Sequence, residues 1–214
     1  MKARKLILII FVALVGMIFF VSAVQAYPVN VGDTIYLSNG PGTTNGGEFK
    51  VGLTSGGDLF RTFCVEKNEY INFSAGFYVS GISNYADAGG VGGGSPDYLD
   101  PKTAYLFYHF AIGDLSSYDY TGVGRATSAD ALQNVIWYIE DEISNLPAGQ
   151  ATTWYNEAVT ANWQNIGNVR AINLLWYDAN GDKAQDQLTL VPEPTTMLLL
   201  GFGLLGLGLV RRKR

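Results

Sequence analysis

Hydrophobic and polar residues alternate in short runs between residues 34 and 82 and again between residues 169 and 191. Such alternation is typical of strands that bury one face. The turn-forming residues at 55–58 join two of these runs in a predicted hairpin, and the glycine-rich segment at 88–95 predicts an exposed, flexible loop. The pattern predicts strands at 34–37, 49–53, 59–65, 76–82, 169–177 and 188–191.

In the middle of the chain, hydrophobic residues recur at the three- and four-residue spacing of helices. Pro101 suits the first turn of a helix at 102–112. Thr127 or Ser128 is expected to cap a second helix at 129–143, and a weaker third helix is predicted at 153–163. The hydrophobic face of the second helix consists of Leu132, Val135, Ile136, Ile139 and Ile143.

Strands, a helical block and closing strands together predict an α+β fold. The arrangement we expect is a short-stranded, barrel-like sheet with an inserted helical block.

The N-terminus has the order of a secretory signal peptide. Lys2, Arg4 and Lys5 precede an apolar run at 6–21, and small residues lead up to Ala26. Cleavage after Ala26 assigns residues 1–26 to the signal. The apolar run is also long enough for an uncleaved anchor, which is the alternative.

At the C-terminus, an apolar stretch at 197–210 is followed by four basic residues. The basic end is expected to remain in the cytoplasm and to leave the preceding domain outside. Pro192, Glu193 and Pro194 stand just before this segment, and the whole order resembles the PEP-CTERM sorting tag. The resemblance implies a membrane segment in transit through the inner membrane and cleavage by an exosortase-type protease. It also implies delivery to the cell surface or extracellular matrix of a Gram-negative-type bacterium. The tag then spans 191–214 and the domain 27–190.

The central domain is strongly acidic once both terminal segments are set aside. The chain has 14 Lys+Arg and 19 Asp+Glu. The signal contains three of the basic residues, and the tag contains four basic residues and one acid, which leaves 7 basic and 18 acidic residues and a net charge near −11. Because phosphate binding needs Lys and Arg, this balance argues against a nucleic-acid partner. The acidic run at 140–142 is interpreted as a solvated helix edge.

Cys64 is the only cysteine. It is a buried apolar thiol, half of an intermolecular disulfide, a catalytic thiol, or a thiol used in another covalent bond. His109, the only histidine, leaves a Cys-His thiol hydrolase as one alternative. The acidic segment at 178–182 lacks the glycine and glutamate positions of a calcium loop and predicts a turn. No metal site or cofactor is predicted.

Two short segments resemble the thioester domains of bacterial surface adhesins, also called TQXA domains. They are Thr62 to Glu66, at the end of a predicted strand, and Ala131 to Trp137, on the second predicted helix. The resemblance implies a bond between Cys64 and Gln133, in a pocket shaped by Phe63, Glu66 and Trp137. Leu132 and Val135 depart from the family pattern, where Thr and Ala are usual.

The chemistry of such a bond follows from the residue types. A thiolate attacking the Gln133 carboxamide releases ammonia and leaves a thioester, and a helix start would supply free N–H groups for the oxyanion. A Lys amine or a glycan hydroxyl on a target surface would then attack the stored acyl group. This happens once per molecule, so the prediction is an adhesive binding module and not an enzyme. The alternative is a non-reactive structural or matrix protein in which Cys64 is a core residue.

Overall fold

The structure is a computed structural model that describes residues 29–43, 46–87, 89–177 and 181–191. It contains a six-stranded antiparallel sheet in the order β3-β2-β1-β4-β7-β8 and a two-stranded sheet of β5 and β6. The strands are β1 (Thr34–Asn39), β2 (Phe49–Gly52), β3 (Phe60–Thr62), β4 (Gly76–Ser83), β5 (Tyr85–Ala86), β6 (Asp97–Tyr98), β7 (Val169–Trp176) and β8 (Lys183–Leu190). The predicted mixture of strands and an inserted helical block is confirmed.

The two outermost strands of the six-stranded sheet are joined to each other by main-chain hydrogen bonds. Beyond β3, the Leu188 N–H donates to the Phe63 carbonyl (3.0 Å), and the Val65 N–H donates to the Asp186 carbonyl (3.1 Å). Cys64 lies opposite Gln187 in the antiparallel bridge between these bonds. We call this junction the seam. It closes the sheet on itself and thereby satisfies backbone groups that an edge strand would leave unpaired.

The described residues form three helices between β6 and β7: α1 (Pro101–Ile112), α2 (Arg125–Ile139) and α3 (Gln150–Ala161). Asp100 caps α1, because its carboxylate accepts a hydrogen bond from the Lys102 N–H (2.7 Å). The predicted start of α2 is wrong. The helix begins four residues earlier, and the Ser128 hydroxyl accepts a hydrogen bond from the Asp119 N–H instead of capping the helix.

The helices cover one face of the sheet, and a second core lies on the other face. Successive strand residues face opposite sides, so Phe63, Val65, Ala171 and Leu188 pack with the helices. The second core contains Ile35, Leu37, Val51, Phe60, Phe77, Val79, Ile172 and Leu174.

The start of the last strand and the exposure of the glycine-rich loop differ in part from the predictions. Strand β8 begins at Lys183 and not at 188. The sequence did not predict its first half because Gln185, Asp186 and Gln187 are polar, although all three are buried. The glycine-rich loop at 88–95 was expected to be exposed, and Val91 and 93–95 are exposed. Gly89 is buried, however, and Glu142 accepts hydrogen bonds from the N–H groups of Val91 (2.8 Å) and Gly92 (3.4 Å).

Both predicted targeting segments, 1–26 and 191–214, lie almost wholly outside the described residues, as does most of the predicted turn at 178–182. Within the part of the chain that the structure describes, no helix has the length and apolar character needed to cross a membrane.

Candidate functional site

Cys64 and Gln133 are in direct contact. The Cys64 thiol donates a hydrogen bond to Gln133 Oε1, with 3.1 Å between sulfur and oxygen. Each residue is only 1% exposed. The sulfur therefore lies beside a carboxamide in a site that has very little contact with solvent.

The backbone of Cys64 fixes the orientation of this carboxamide. The Cys64 N–H donates to Gln133 Oε1 (3.2 Å), and Gln133 Nε2 donates to the Cys64 carbonyl (2.9 Å). Since Phe63 and Val65 bond to β8 across the seam, the N–H and C=O of Cys64 point away from β8. On that side their partner is the Gln133 side chain rather than a strand. The amide oxygen is thus held toward the thiol and its N–H group.

Gln133 does not lie at a helix start, contrary to the expectation from the sequence. It is eight positions after Arg125, the first residue of α2, so the free N–H groups of the first turn are not near it. The hydrogen-bond donor next to its carbonyl oxygen is the Cys64 N–H instead. A negative charge that develops on Oε1 during attack by the sulfur would be stabilised by this donor.

Burial raises the pKa of the Cys64 thiol well above its ordinary value, and the charge of Glu66 raises it further. The backbone N–H of Cys64 and the indole of Trp137 act in the opposite direction. The thiol is consequently protonated at neutral pH, and its proton must leave when the sulfur becomes a nucleophile.

A cavity of about 600 Å³ opens next to the pair. Trp137 lines it and packs against Cys64 and Phe49. Its indole N–H has no hydrogen bond of standard geometry among the described residues, and the Lys67 ammonium lies 5.7 Å from its ring centroid. The cavity is lined by Thr43, Gly46, Phe49, Cys64, Lys67, Glu69, Tyr70, Ile71, Phe73, Asp130, Gln133, Asn134, Trp137 and Gln185.

Of the three predicted pocket residues, only Trp137 is part of this wall. Phe63 packs edge-on against Phe110 (4.9 Å between ring centroids) in the core under the helices. Glu66 is 1% exposed and belongs to the seam, where its Oε2 accepts a hydrogen bond from the Asp186 N–H (2.9 Å). Burial and then the charge of Asp186 raise its pKa well above the usual value.

Several buried polar residues near the site were missed by the sequence interpretation. Gln185 Nε2 donates to the Glu66 carbonyl (2.6 Å) across the seam. Glu142, interpreted from the sequence as part of a solvated edge, is 3% exposed and accepts a hydrogen bond from the Lys67 N–H (2.7 Å). The sequence interpretation missed these residues because hydrophobic periodicity assigns polar residues to the surface.

His109 lies apart from this cavity. Its Nδ1 is 2.7 Å from Asp114 Oδ1, and its ring contacts Tyr105 and Trp163. It is not among the residues that line the cavity beside Cys64. The structure therefore does not bring the two residues of the alternative thiol hydrolase together.

Comparison with known proteins concerns the C-terminus alone. No curated protein and no solved structure matches the chain significantly. Residues 190–214 match the PEP-CTERM protein-sorting motif, which confirms the predicted tag around Pro192, Glu193 and Pro194. Such a motif is recognised by an exosortase, so the chain is an exported protein that carries a PEP-CTERM sorting motif and is processed at the membrane.

Proposed function

We propose that the domain is a covalent binding module in which Cys64 and Gln133 form an internal thioester. The contact that supports this most directly is the 3.1 Å hydrogen bond from the thiol to the carboxamide oxygen. The electrophilic carbon of Gln133 is bonded to that oxygen, so the reacting groups are already paired. Such pairing lowers the entropy cost of the reaction.

The bond-forming step balances without any further reactant. The sulfur of Cys64 attacks the Gln133 carboxamide carbon, and the negative charge that develops on Oε1 is stabilised by the Cys64 N–H. The carbon–nitrogen bond then breaks, the thiol proton passes to the departing nitrogen, and ammonia leaves. Nε2, which becomes the ammonia, donates to the Cys64 carbonyl (2.9 Å) before the reaction.

Burial and access serve different steps in this proposal. Both residues are 1% exposed, which limits hydrolysis of the stored acyl group. The adjoining cavity of about 600 Å³ gives an amine or a hydroxyl group of a target a route to the carbon. Attack there would join the target to Gln133 and release the Cys64 thiol. The sorting motif suggests where this happens, on the cell surface or in its matrix.

A second candidate is a non-reactive structural protein of the same fold. The two main-chain hydrogen bonds of Gln133 favour it, because they satisfy the buried N–H and C=O of Cys64 without any chemistry. In that case the thiol is a small core residue.

Intact mass spectrometry separates the two. The wild-type chain is compared with Cys64→Ala and Gln133→Ala, so that processing at either end cancels. The thioester predicts a wild-type mass lower by about 17 Da, the mass of ammonia, than the substitutions alone account for. Methylamine should then add about 31 Da to the wild-type protein and expose one thiol, with no addition to either variant. A freshly purified wild-type protein with its full mass and a free thiol would refute the thioester.

A further inference from the structure

Glu69 is a carboxylate in the wall of the cavity that the proposed function does not yet use. Its side chain is half-buried, and its Oε2 atom is buried with no hydrogen-bond partner among the residues described. Leaving a buried acceptor unpaired costs free energy. Because Glu69 also lines the cavity, its carboxylate is placed to take a proton from a molecule that enters it.

The other ionisable groups in this wall are engaged or exposed. Asp130 Oδ1 accepts a hydrogen bond from the Thr43 N–H (2.7 Å). The Lys67 ammonium lies over the Trp137 ring, and Tyr70 is 76% exposed. Among the described residues that line the cavity, Glu69 is thus the carboxylate with a buried and unpaired oxygen.

We propose that Glu69 is the general base of the capture step and takes the proton of the nucleophile as it attacks the Gln133 carbonyl carbon. This role rests on the thioester proposed above. For an amine, the nitrogen–carbon bond forms and the carbon–sulfur bond breaks, with its electron pair going to sulfur. The proton lost by nitrogen passes through the Glu69 carboxylate to the sulfur. The products are an amide at Gln133, a free Cys64 thiol and an unchanged carboxylate.

The electrostatics of Glu69 suit a base that works near neutral pH. Burial and the charge of Asp186 raise its pKa to about 7, and Lys183 opposes this shift. A base is most effective when its pKa lies near the working pH. The carboxylate form increases as pH rises through about 7, so the capture rate should rise over the same interval and then level off. The charged groups that act on Glu69 or respond to it are Asp186, Lys183, Glu142, Asp87 and Glu66.

The test measures methylamine incorporation by mass in the full chain, comparing wild type with Glu69→Gln. Rates are expressed per concentration of unprotonated methylamine, so that the remaining pH dependence belongs to the protein. General bases contribute about 10²- to 10⁴-fold, so we expect Glu69→Gln to react roughly 100-fold more slowly and without the step near pH 7. Both proteins should show the same mass deficit before methylamine is added.

Asp130→Asn is the matched control, since it removes a negative charge from the same cavity but not the proposed base. We expect it to keep the pH step, and Glu69→Asp to keep it as well. Wild-type behaviour in Glu69→Gln, or equal losses in Glu69→Gln and Asp130→Asn, would overturn the role of Glu69 while leaving the thioester intact. If Glu69→Gln does not fold, loss of the pH step in a folded Glu69→Asp would overturn that role in the same way. A wild-type chain without the mass deficit would instead refute the thioester itself, and with it any capture step for Glu69.

Discussion

Replacing Cys64 by alanine measures whether the seam and helix α2 are covalently joined. Cys64 and Gln133 are 69 residues apart in sequence. A covalent bond that closes a loop of this length lowers the entropy of the unfolded chain, which stabilises the native state by about 4 kcal/mol in the chain-entropy description. Alanine keeps the N–H and C=O that Gln133 contacts. If no thioester has formed, the substitution removes only the hydrogen bond of the thiol, at a cost of about 1 kcal/mol.

With the thioester, the expected loss in the free energy of unfolding is about 3 kcal/mol, because Cys64→Ala keeps the Nε2 hydrogen bond, worth about 1 kcal/mol, that the departure of ammonia removes. Without the thioester the expected loss is about 1 kcal/mol. Guanidinium unfolding of the wild-type protein and of Cys64→Ala gives this difference by linear extrapolation. Wild-type protein treated with methylamine is the control, because cleavage of the thioester opens the loop without changing the sequence. Its stability should fall most of the way to that of the variant.

One result would contradict this reasoning directly. If the untreated wild-type protein shows the mass deficit but unfolds within about 1 kcal/mol of Cys64→Ala, the bond does not constrain the unfolded chain as argued. The denaturant dependence supplies an independent check. A chain that loses the cross-link exposes more surface on unfolding, so its m-value should increase.

Two further variants test the surroundings of the site. Gln133→Ala should be about 2–6 kcal/mol less stable than Cys64→Ala, because the buried N–H and C=O of Cys64 lose their partner at about 1–3 kcal/mol each; equal stabilities in guanidinium would show that these contacts contribute little. Burial raises the pKa of Glu140 to about 8. Its ordinary value is about 4.3, so the stability from its protonated form is present below that pH and is lost as pH rises toward 8. Thermal unfolding of Glu140→Gln should therefore show a smaller decrease in Tm between about pH 5 and pH 8 than wild type, and an unchanged slope would count against this assignment.

Helix α2 shows which features of a helix hydrophobic periodicity predicts and which it does not. Of its predicted hydrophobic face, Leu132, Val135, Ile136 and Ile139 are buried, whereas Ile143 lies beyond the end of the helix and is only partly buried. The boundaries of the helix were not predicted correctly, because the start depends on the Asp119 carboxylate, which accepts hydrogen bonds from the Gly122 and Gly124 N–H groups in the preceding turn. Helix spacing is a local property of the chain, whereas this start depends on how the turn before it folds.

Strand β8 shows the opposite case. The run from Lys183 to Gln187 has no hydrophobic alternation that would predict a strand. It pairs with β7 and closes the seam beside Cys64, and the side chains of Gln185, Asp186 and Gln187 are buried there. Asp186 is stabilised by the Leu174 N–H (2.8 Å) and the Asn173 side chain (2.7 Å). These partners come from β7, so the segment's own residues do not reveal why it can be buried.

The sequence by itself determined the features that depend on neighbouring residues. These are the sorting motif at 190–214, most of the hydrophobic face of α2 and most of the strands. Only the tertiary structure decided where the buried polar groups lie and which hydrogen-bond partners they have. It turned the backbone of Cys64 away from β8 and toward Gln133, and it placed Glu66 in the seam and Glu69 in the cavity wall. The physical reason is that a buried polar group is stable only where distant parts of the chain supply its hydrogen-bond partners.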